Sequence, residues 1–238
     1  MRTAYTVFRN LYNVRKMTMK LVLASGSQRR RELLTMCGYD YEIIVSNADE
    51  TIDENDPESF VRALSFRKAK EVFDRLFAVG RRDFAVIGSD TVVAFQKEGE
   101  IKPVIIGKPK DAEDAVRILS MLSGKTHRVF TGVSVIADIS DENAAAQCSI
   151  REKAEIQTEC SITEVTFETL SPDEITDYVN SGDPLDKAGS YGIQGPFGMF
   201  VREIRGNYFT VIGMPIPVLY KMLKKIGILP HGFYERIE

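Results

Sequence analysis

Histidine and cysteine are scarce in this chain of 238 residues: His127 and His231, then Cys37, Cys148 and Cys160. No metal-ligand spacing links them, which excludes a histidine–cysteine zinc site. The odd cysteine count argues for a reducing compartment over a disulfide framework. No apolar run is long enough to span a bilayer, so no membrane partner is expected. A formal net charge of −3 lacks the broad basic face that nucleic-acid binding needs, so no nucleic-acid partner is expected, although a local basic pocket fits it. There is no internal repeat, no low-complexity tract, no Walker loop and no GxGxxG fingerprint. What is present is ordinary for a globular protein, with 44% hydrophobic and 27% charged residues. The length suits one large α/β domain or two lobes of one fold.

Residues 20–37 organise the rest. Leu21 to Ala24 is a short apolar run that reads as a buried strand. Ser25-Gly26-Ser27 breaks it, and Ser27 is placed to cap a helix through Leu33, Leu34 and Met36. Arg29, Arg30 and Arg31 fall in its first turn, where the helix dipole disfavours each cation by roughly 0.3–1 kcal/mol. An anion among them explains the placement. Backbone N–H groups of the turn would cradle a phosphate, and guanidinium forks would grip its oxygens. Arg31 also reads as a solvated surface residue.

Further along, residues 41–45 read as a second strand and residues 46–56 as an acidic loop with Asp49, Glu50, Asp53, Glu54 and Asp56. One of these acids could hold a metal ion that in turn holds phosphates, and the sequence does not choose which. Asp56-Pro57 opens a helix to about Phe77. Lys68 lies on its apolar arc between Leu64 and Val72, either snorkelling along apolar surface or reaching into a cleft as a phosphate ligand. Residues 84–87 form a buried strand that runs into Gly88-Ser89-Asp90-Thr91 and resumes at 92–95. An acid and hydroxyls interrupting an apolar run are expected near a strand end or bend, where open α/β sheets place ligands. Asp90 is the best single catalytic candidate, a turn former being the plainer reading.

Glu98-Gly99 suggests a hairpin tip, and Gly107-Lys108-Pro109 a short loop that presents an ammonium before Asp111 caps the next helix. Residues 127–137 read as a strand, 138–153 as a surface loop, and Ile162, Val165 and Phe167 as a further strand. Ser171 and Glu174 make a capping box, with Pro172 at the first helical position. The glycine-rich segment 182–195 would let backbone approach a ligand, with Lys187 as a cation, Tyr191 as an aromatic face and Gln194 as an amide for a base edge. A long irregular connection is its plainer reading. Residues 199–204 and 208–212 read as a hairpin across Gly206-Asn207, before a last helix from Pro215 to about Ile226. Residues 1–19 carry Arg2, Arg9, Arg15 and Lys16 without an acid, like a mitochondrial presequence in charge or a disordered leader.

Taken together, Ala24-Ser25-Gly26-Ser27-Gln28-Arg29-Arg30, Lys68-Ala69, Gly88-Ser89-Asp90-Thr91 and Gly107-Lys108-Pro109 form an ordered set. It continues through residues 122–127, Thr131-Gly132-Val133, residues 182–189, Tyr191-Gly192-Ile193-Gln194-Gly195 and Gly213-Met214-Pro215. This set resembles the Maf family of septum-formation-like nucleoside triphosphate pyrophosphatases, in family order over roughly residues 20–226. The resemblance implies an α/β fold with a mixed twisted sheet, flanking helices and two lobes around a central cleft, shared in outline with inosine triphosphate pyrophosphatases. It places one such domain at 20–228, between a leader at 1–19 and a tail at 229–238.

It further implies hydrolysis of a nucleoside triphosphate to monophosphate and pyrophosphate, with Mg²⁺ or Mn²⁺, as house-cleaning of nucleotide pools. Asp90 matches the family's proton acceptor, joined by Lys68 and Lys108 as catalytic cations. Arg29, Thr91 and Gln194 match positions tied to substrate choice, and Ser25, Arg30, Glu50, Lys68, Lys108 and Lys187 match polar residues lining the cleft. Ser25, Arg30 and Lys187 are thus expected to bind substrate and Glu50 with Asp90 to hold the metal. Asp90 serves either as the base or as the ligand of the metal that activates the water. The Tyr-Gly-Ile-Gln-Gly form resembles the branch acting on dTTP and UTP. A homodimer and a cytoplasmic location are compatible with the family, with mitochondria the alternative if the leader targets the protein. Gln28 departs from the family's usual proline, the polar segment between Asp138 and Cys160 is longer than in compact members, and the leader has no counterpart. The rival reading is a non-catalytic nucleotide-binding regulator of cell division, which would need the cations but no rigidly placed acid.

Overall fold

Two long β-rich runs form the middle of the sheet in the computed structural model, which describes residues 19–97, 99–100, 102–139 and 154–231. Strands β3 (Phe84–Phe95) and β5 (Thr126–Asp138) pair antiparallel from Ala85↔Ala137 to Ala94↔Arg128. On the far side of β5 lie β6 (Ala154–Phe167) and β7 (Val201–Arg205), both antiparallel. On the other edge of β3, β1 (Lys20–Leu23) runs parallel beside residues 84–87 and carries β2 (Glu42–Ile43) in turn. The short β4 (Val104–Ile106) returns antiparallel against residues 93–95. The order is β2-β1-β3-β5-β6-β7, with β4 on β3. Because β5 fills one edge of β3, β1 and β4 share the other, and residues 88–92 have no strand partner there.

Alternation along the strands decides which helix covers which face. Leu21, Leu23, Ala85 and Ile87 point to a core built with α1 (Gln28–Met36) and α6 (Ile216–Lys225). Val22, Phe84 and Val86 point the opposite way, onto Val72 and Phe73 of α2 (Pro57–Ala78). Val93 and Phe95 join a further cluster under α3 (Ala112–Leu122) and α4 (Pro172–Asn180). Each fully buried Leu or Phe contributes about 1.5–3 kcal/mol. Asp56, Asp111 and Ser171 cap α2, α3 and α4 through their side chains, Ser171 in a complete capping box with Glu174. The architecture is the mixed α/β sheet with flanking helices that the sequence leads one to expect.

Several local expectations need correction. Gly88 to Thr91 do not break β3, since Asp90 pairs with Gly132 within the ladder; the interruption lies on the opposite edge, where β1 has ended. The hairpin across Gly206-Asn207 is absent. Asn207 Oδ1 instead accepts from Phe209 N at 2.8 Å and caps the short α5 (Tyr208–Ile212). Ser27 is the N-cap of α1 by backbone alone and its side chain makes no cap bond. Only Glu42 and Ile43 of the expected second strand pair, because β1 ends at Leu23. Strand β6 starts at Ala154, well before the three residues that mark it in sequence. Residues 140–153 of the expected surface loop, residues 1–18 of the expected leader and residues 232–238 of the expected tail lie outside the described residues. No described helix is long and apolar enough to cross a membrane.

Candidate active site

The unpaired stretch of β3 opens into a cleft of about 760 Å³, walled by the start of α1, the acidic loop, α2, the β4–α3 loop and residues 186–194. On its floor the Lys68 Nζ lies 2.8 Å from Asp90 Oδ1 and 2.9 Å from Glu50 Oε1. Lys68 and Asp90 are each 9% exposed, so the lysine does not snorkel outward. It turns inward because α2 carries it directly above the β3 face that bears Asp90. The Lys68 ammonium is thus shared between two carboxylates at the cleft floor.

The structure singles out Glu50 among the five acids of its loop. Arg67 Nη1 donates to the carbonyls of Asp49 and Thr51, 2.8 Å each, and so grips both neighbours of Glu50. Asp49 accepts from Thr51 N, Glu54 from Asn55 N and Asp56 N, and Asp56 caps α2. Among the described residues no group of three His, Cys, Asp or Glu side chains is gathered as a metal cage. Of the cleft carboxylates, Glu50 and Asp90 converge on Lys68 at the floor, whereas Asp186 is held at the mouth by Arg29 and Lys187. The pair at the floor fits Mg²⁺ or Mn²⁺, which completes its shell with water and phosphate oxygens.

Arg30 is a brace. Its Nε donates to Gly213 O at 2.8 Å, Nη1 to Ser25 Oγ at 3.0 Å and Nη2 to Thr91 Oγ1 at 3.3 Å. Burial pulls its pKa below the ordinary value, opposed by the nearby Asp90 carboxylate. The Ser25 and Thr91 hydroxyls thus spend part of their capacity on Arg30, and Thr91 also bonds Thr131 Oγ1 at 3.0 Å. Arg29 stands at the mouth, 3.3 Å from Asp186 Oδ2. Lys187 Nζ donates to Asp186 Oδ1 at 2.7 Å and Asp183 Oδ1 at 2.9 Å. Burial works to raise the Asp186 pKa, but the Lys187 hydrogen bond and the Arg29 and Lys187 charges outweigh it and hold it low.

Lys108 and Gln194 are exposed at the cleft wall, with no hydrogen-bond or ion-pair partner among the described residues. Tyr191 is no free aromatic face. It is 5% exposed, its hydroxyl lies 3.0 Å from His127 Nε2, and its ring packs edge-on against Phe167. The sequence reading did not single out Arg67, Tyr178 or the carboxylates of Asp183 and Asp186. Asp186 meets Arg29 across 157 positions of chain, and no spacing rule signals that.

The chain matches the family model described as Maf-like protein over residues 20–226. A dTTP/UTP pyrophosphatase of Agathobacter rectalis is 41% identical over 217 residues, covering 88% of this chain and 98% of that protein. A dTTP/UTP pyrophosphatase of Bacillus thuringiensis subsp. konkukian is 42% identical over 210 residues, covering 88% and 96%. The solved structure of the Ham1 protein of Staphylococcus aureus aligns with 87% of this chain and 98% of its own, at 16% identity and a TM-score of 0.45. On the strength of the family model and these relatives, the chain belongs to the Maf-like proteins.

Proposed function

We propose that this protein hydrolyses dTTP and UTP to the nucleoside monophosphate and pyrophosphate. The carrying observation is the Asp90–Lys68–Glu50 cluster on the floor of a cleft whose walls present Arg29, Lys108 and Lys187. Two relatives at about 41% identity bear the name of that activity, which supports the substrate class.

In this reading the triphosphate lies against the three wall cations with its α-phosphorus over Asp90. A water oxygen attacks the α-phosphorus in line, the bond to the β-phosphate oxygen breaks, and pyrophosphate leaves. Asp90 orients the water and takes its proton on Oδ2, which has no partner among the described residues. Lys68 holds Oδ1 and so fixes the carboxylate plane. Lys68, Lys108 and Arg29 spread the charge that develops on the leaving group, which is most of what a phosphoryl-transfer site must do. Glu50 would hold Mg²⁺ or Mn²⁺, which when bound neutralises phosphate charge, Asp90 serving as its second ligand only in place of the proton-accepting role. Arg30 supports the pocket from behind through Gly213, Ser25 and Thr91. The direct test is pyrophosphate release from the purified protein given UTP and Mg²⁺, with UMP formed in equal amount. Tight UTP binding without pyrophosphate would refute the enzyme and leave a nucleotide-binding regulator.

A further inference from the structure

We infer that Tyr178 is a positioning residue for this cleft: its hydroxyl ties the two arms of segment 182–195 together and sets where the Lys187 ammonium stands. The inference rests on reading Lys187 as a phosphate contact and Gln194 as the base reader. Tyr178 lies on α4, outside the glycine-rich segment, 6% exposed and with its ring 4.8 Å from that of Phe197. Its oxygen works in two directions. It donates to Asp183 Oδ2 at 2.5 Å and accepts from Gly192 N at 3.1 Å. Asp183 turns its other oxygen to Lys187 Nζ, 2.9 Å away. Phenol, carboxylate and ammonium therefore form one chain that ends in the cleft. Gly192 belongs to the opposite arm, which reaches Gln194 two residues later.

Contact between the arms reinforces the bond. A Cβ at Gly192 would lie 2.6 Å from Lys187 Cε and 3.0 Å from its Cδ, so the lysine stem crosses a bare α-carbon. Burial, then the Asp183 hydrogen bond and charge, push the Tyr178 pKa up, and the hydroxyl remains a donor at neutral pH. A free lysine stem samples many rotamers, whereas an ammonium held in advance meets phosphate without that loss. Replacing the phenol by phenylalanine keeps the ring packing but strands the Gly192 N–H and one Asp183 oxygen.

The test uses Y178F, G192A, D183N and K187A. Calorimetry compares the α,β-methylene analogue of UTP with uridine, and turnover compares UTP with CTP. Y178F and G192A are expected to weaken the analogue about tenfold, as loss of a charge-assisted bond does, with a smaller effect on uridine. Y178F is also expected to lower the UTP-over-CTP preference, which a merely structural tyrosine would not move. An unchanged analogue-to-uridine ratio in folded Y178F overturns the inference, whatever happens to its melting temperature. An unchanged UTP-over-CTP preference overturns the coupling of the arms. Should Y178F not fold, Asp183→Asn decides by the same affinity ratio, since Asp183 is the link through which the phenol reaches the Lys187 ammonium. An unchanged ratio there overturns the inference. K187A separates the two levels: unaltered analogue affinity there refutes the phosphate reading itself. Loss in K187A with none in Y178F or G192A refutes only the role of Tyr178.

Discussion

Gly88 of β3 lies so close beneath α2 that a Cβ there would stand 2.2 Å from the Ser65 carbonyl oxygen. Gly132 on the neighbouring β5 has the same relation to Val61, at 2.1 Å. These bare positions set the gap between helix and sheet. Lys68 follows Ser65 by three residues and Asp90 follows Gly88 by two, so the same gap decides whether ammonium meets carboxylate. Gly88→Ala is expected to cost about 3 kcal/mol by overpacking against backbone that cannot rotate away. It should also lower kcat by lifting Lys68 from Asp90. Urea unfolding and UTP turnover check both effects; a variant with parental stability and parental kcat would show that the close approach is incidental.

Asp90→Asn keeps the shape of the side chain but removes its basicity, while Lys68 retains Glu50 as a partner. Turnover of UTP should fall by about 10²–10⁴-fold, the usual contribution of one proton-transfer group. Binding of the α,β-methylene analogue should stay within a few-fold. Near-parental turnover would mean that Asp90 serves only to anchor Lys68.

The capped helices were legible from sequence because their signals are local: Asp56 before Pro57, Asp111, and the Ser171–Glu174 box each act within one turn. The arginines of the first turn were likewise visible, since a cation there opposes the helix dipole. Non-local choices were not. Glu50 stands out from its acidic neighbours through Arg67, 16 and 18 residues away from the carbonyls that it holds. The Gly-Ser-Asp-Thr stretch has poor strand propensity, yet the ladder with β5 overrides it. Gly206-Asn207 carries turn chemistry, but the same asparagine amide serves equally as a helix cap, and packing decided between them. The site residues quoted from the family resemblance all lie around or on one cleft, whereas their division between braces and free ligands appears only with side-chain partners in view.

His127 gives the protein a pH signature apart from the cleft chemistry. It is 2% exposed between Phe167 and Tyr191, and burial lowers its pKa to about 3. The unfolded chain binds a proton near the ordinary value of about 6.5 while the native state does not. Stability is therefore complete above that pH and falls as the pH drops from it toward 3. The slope approaches about 1.4 kcal/mol per pH unit for this one proton. Urea unfolding between pH 7 and 5 should show this slope, and His127→Asn should remove about one proton from it. Equal slopes in the two proteins would mean that His127 takes up its proton over the same pH range in the native as in the unfolded chain.

In the proposed reading, Gln194 at the cleft wall carries the discrimination between bases. Uracil and thymine present O4 as an acceptor beside N3–H as a donor, and one amide side chain can meet both. Cytosine reverses both groups, so a fixed amide would face mismatched polar atoms. Sites built on such bonds reject the wrong partner by about 10⁴-fold when their donors and acceptors cannot rearrange. Gln194 is exposed, and no described residue holds its amide in one orientation. A flipped amide meets cytosine at the cost of reorganising its surroundings, so the preference should fall below that ceiling. About tenfold to a hundredfold is expected, the penalty of one or two imperfectly paired groups. UTP and dTTP should therefore show similar kcat/KM, with CTP lower by that factor. Gln194→Ala should bring the three within a few-fold of one another, mainly by loss of the pyrimidines it favours. Equal kcat/KM for CTP and UTP in the parent protein would remove Gln194 from base reading and leave the cleft as a triphosphate site indifferent to the base.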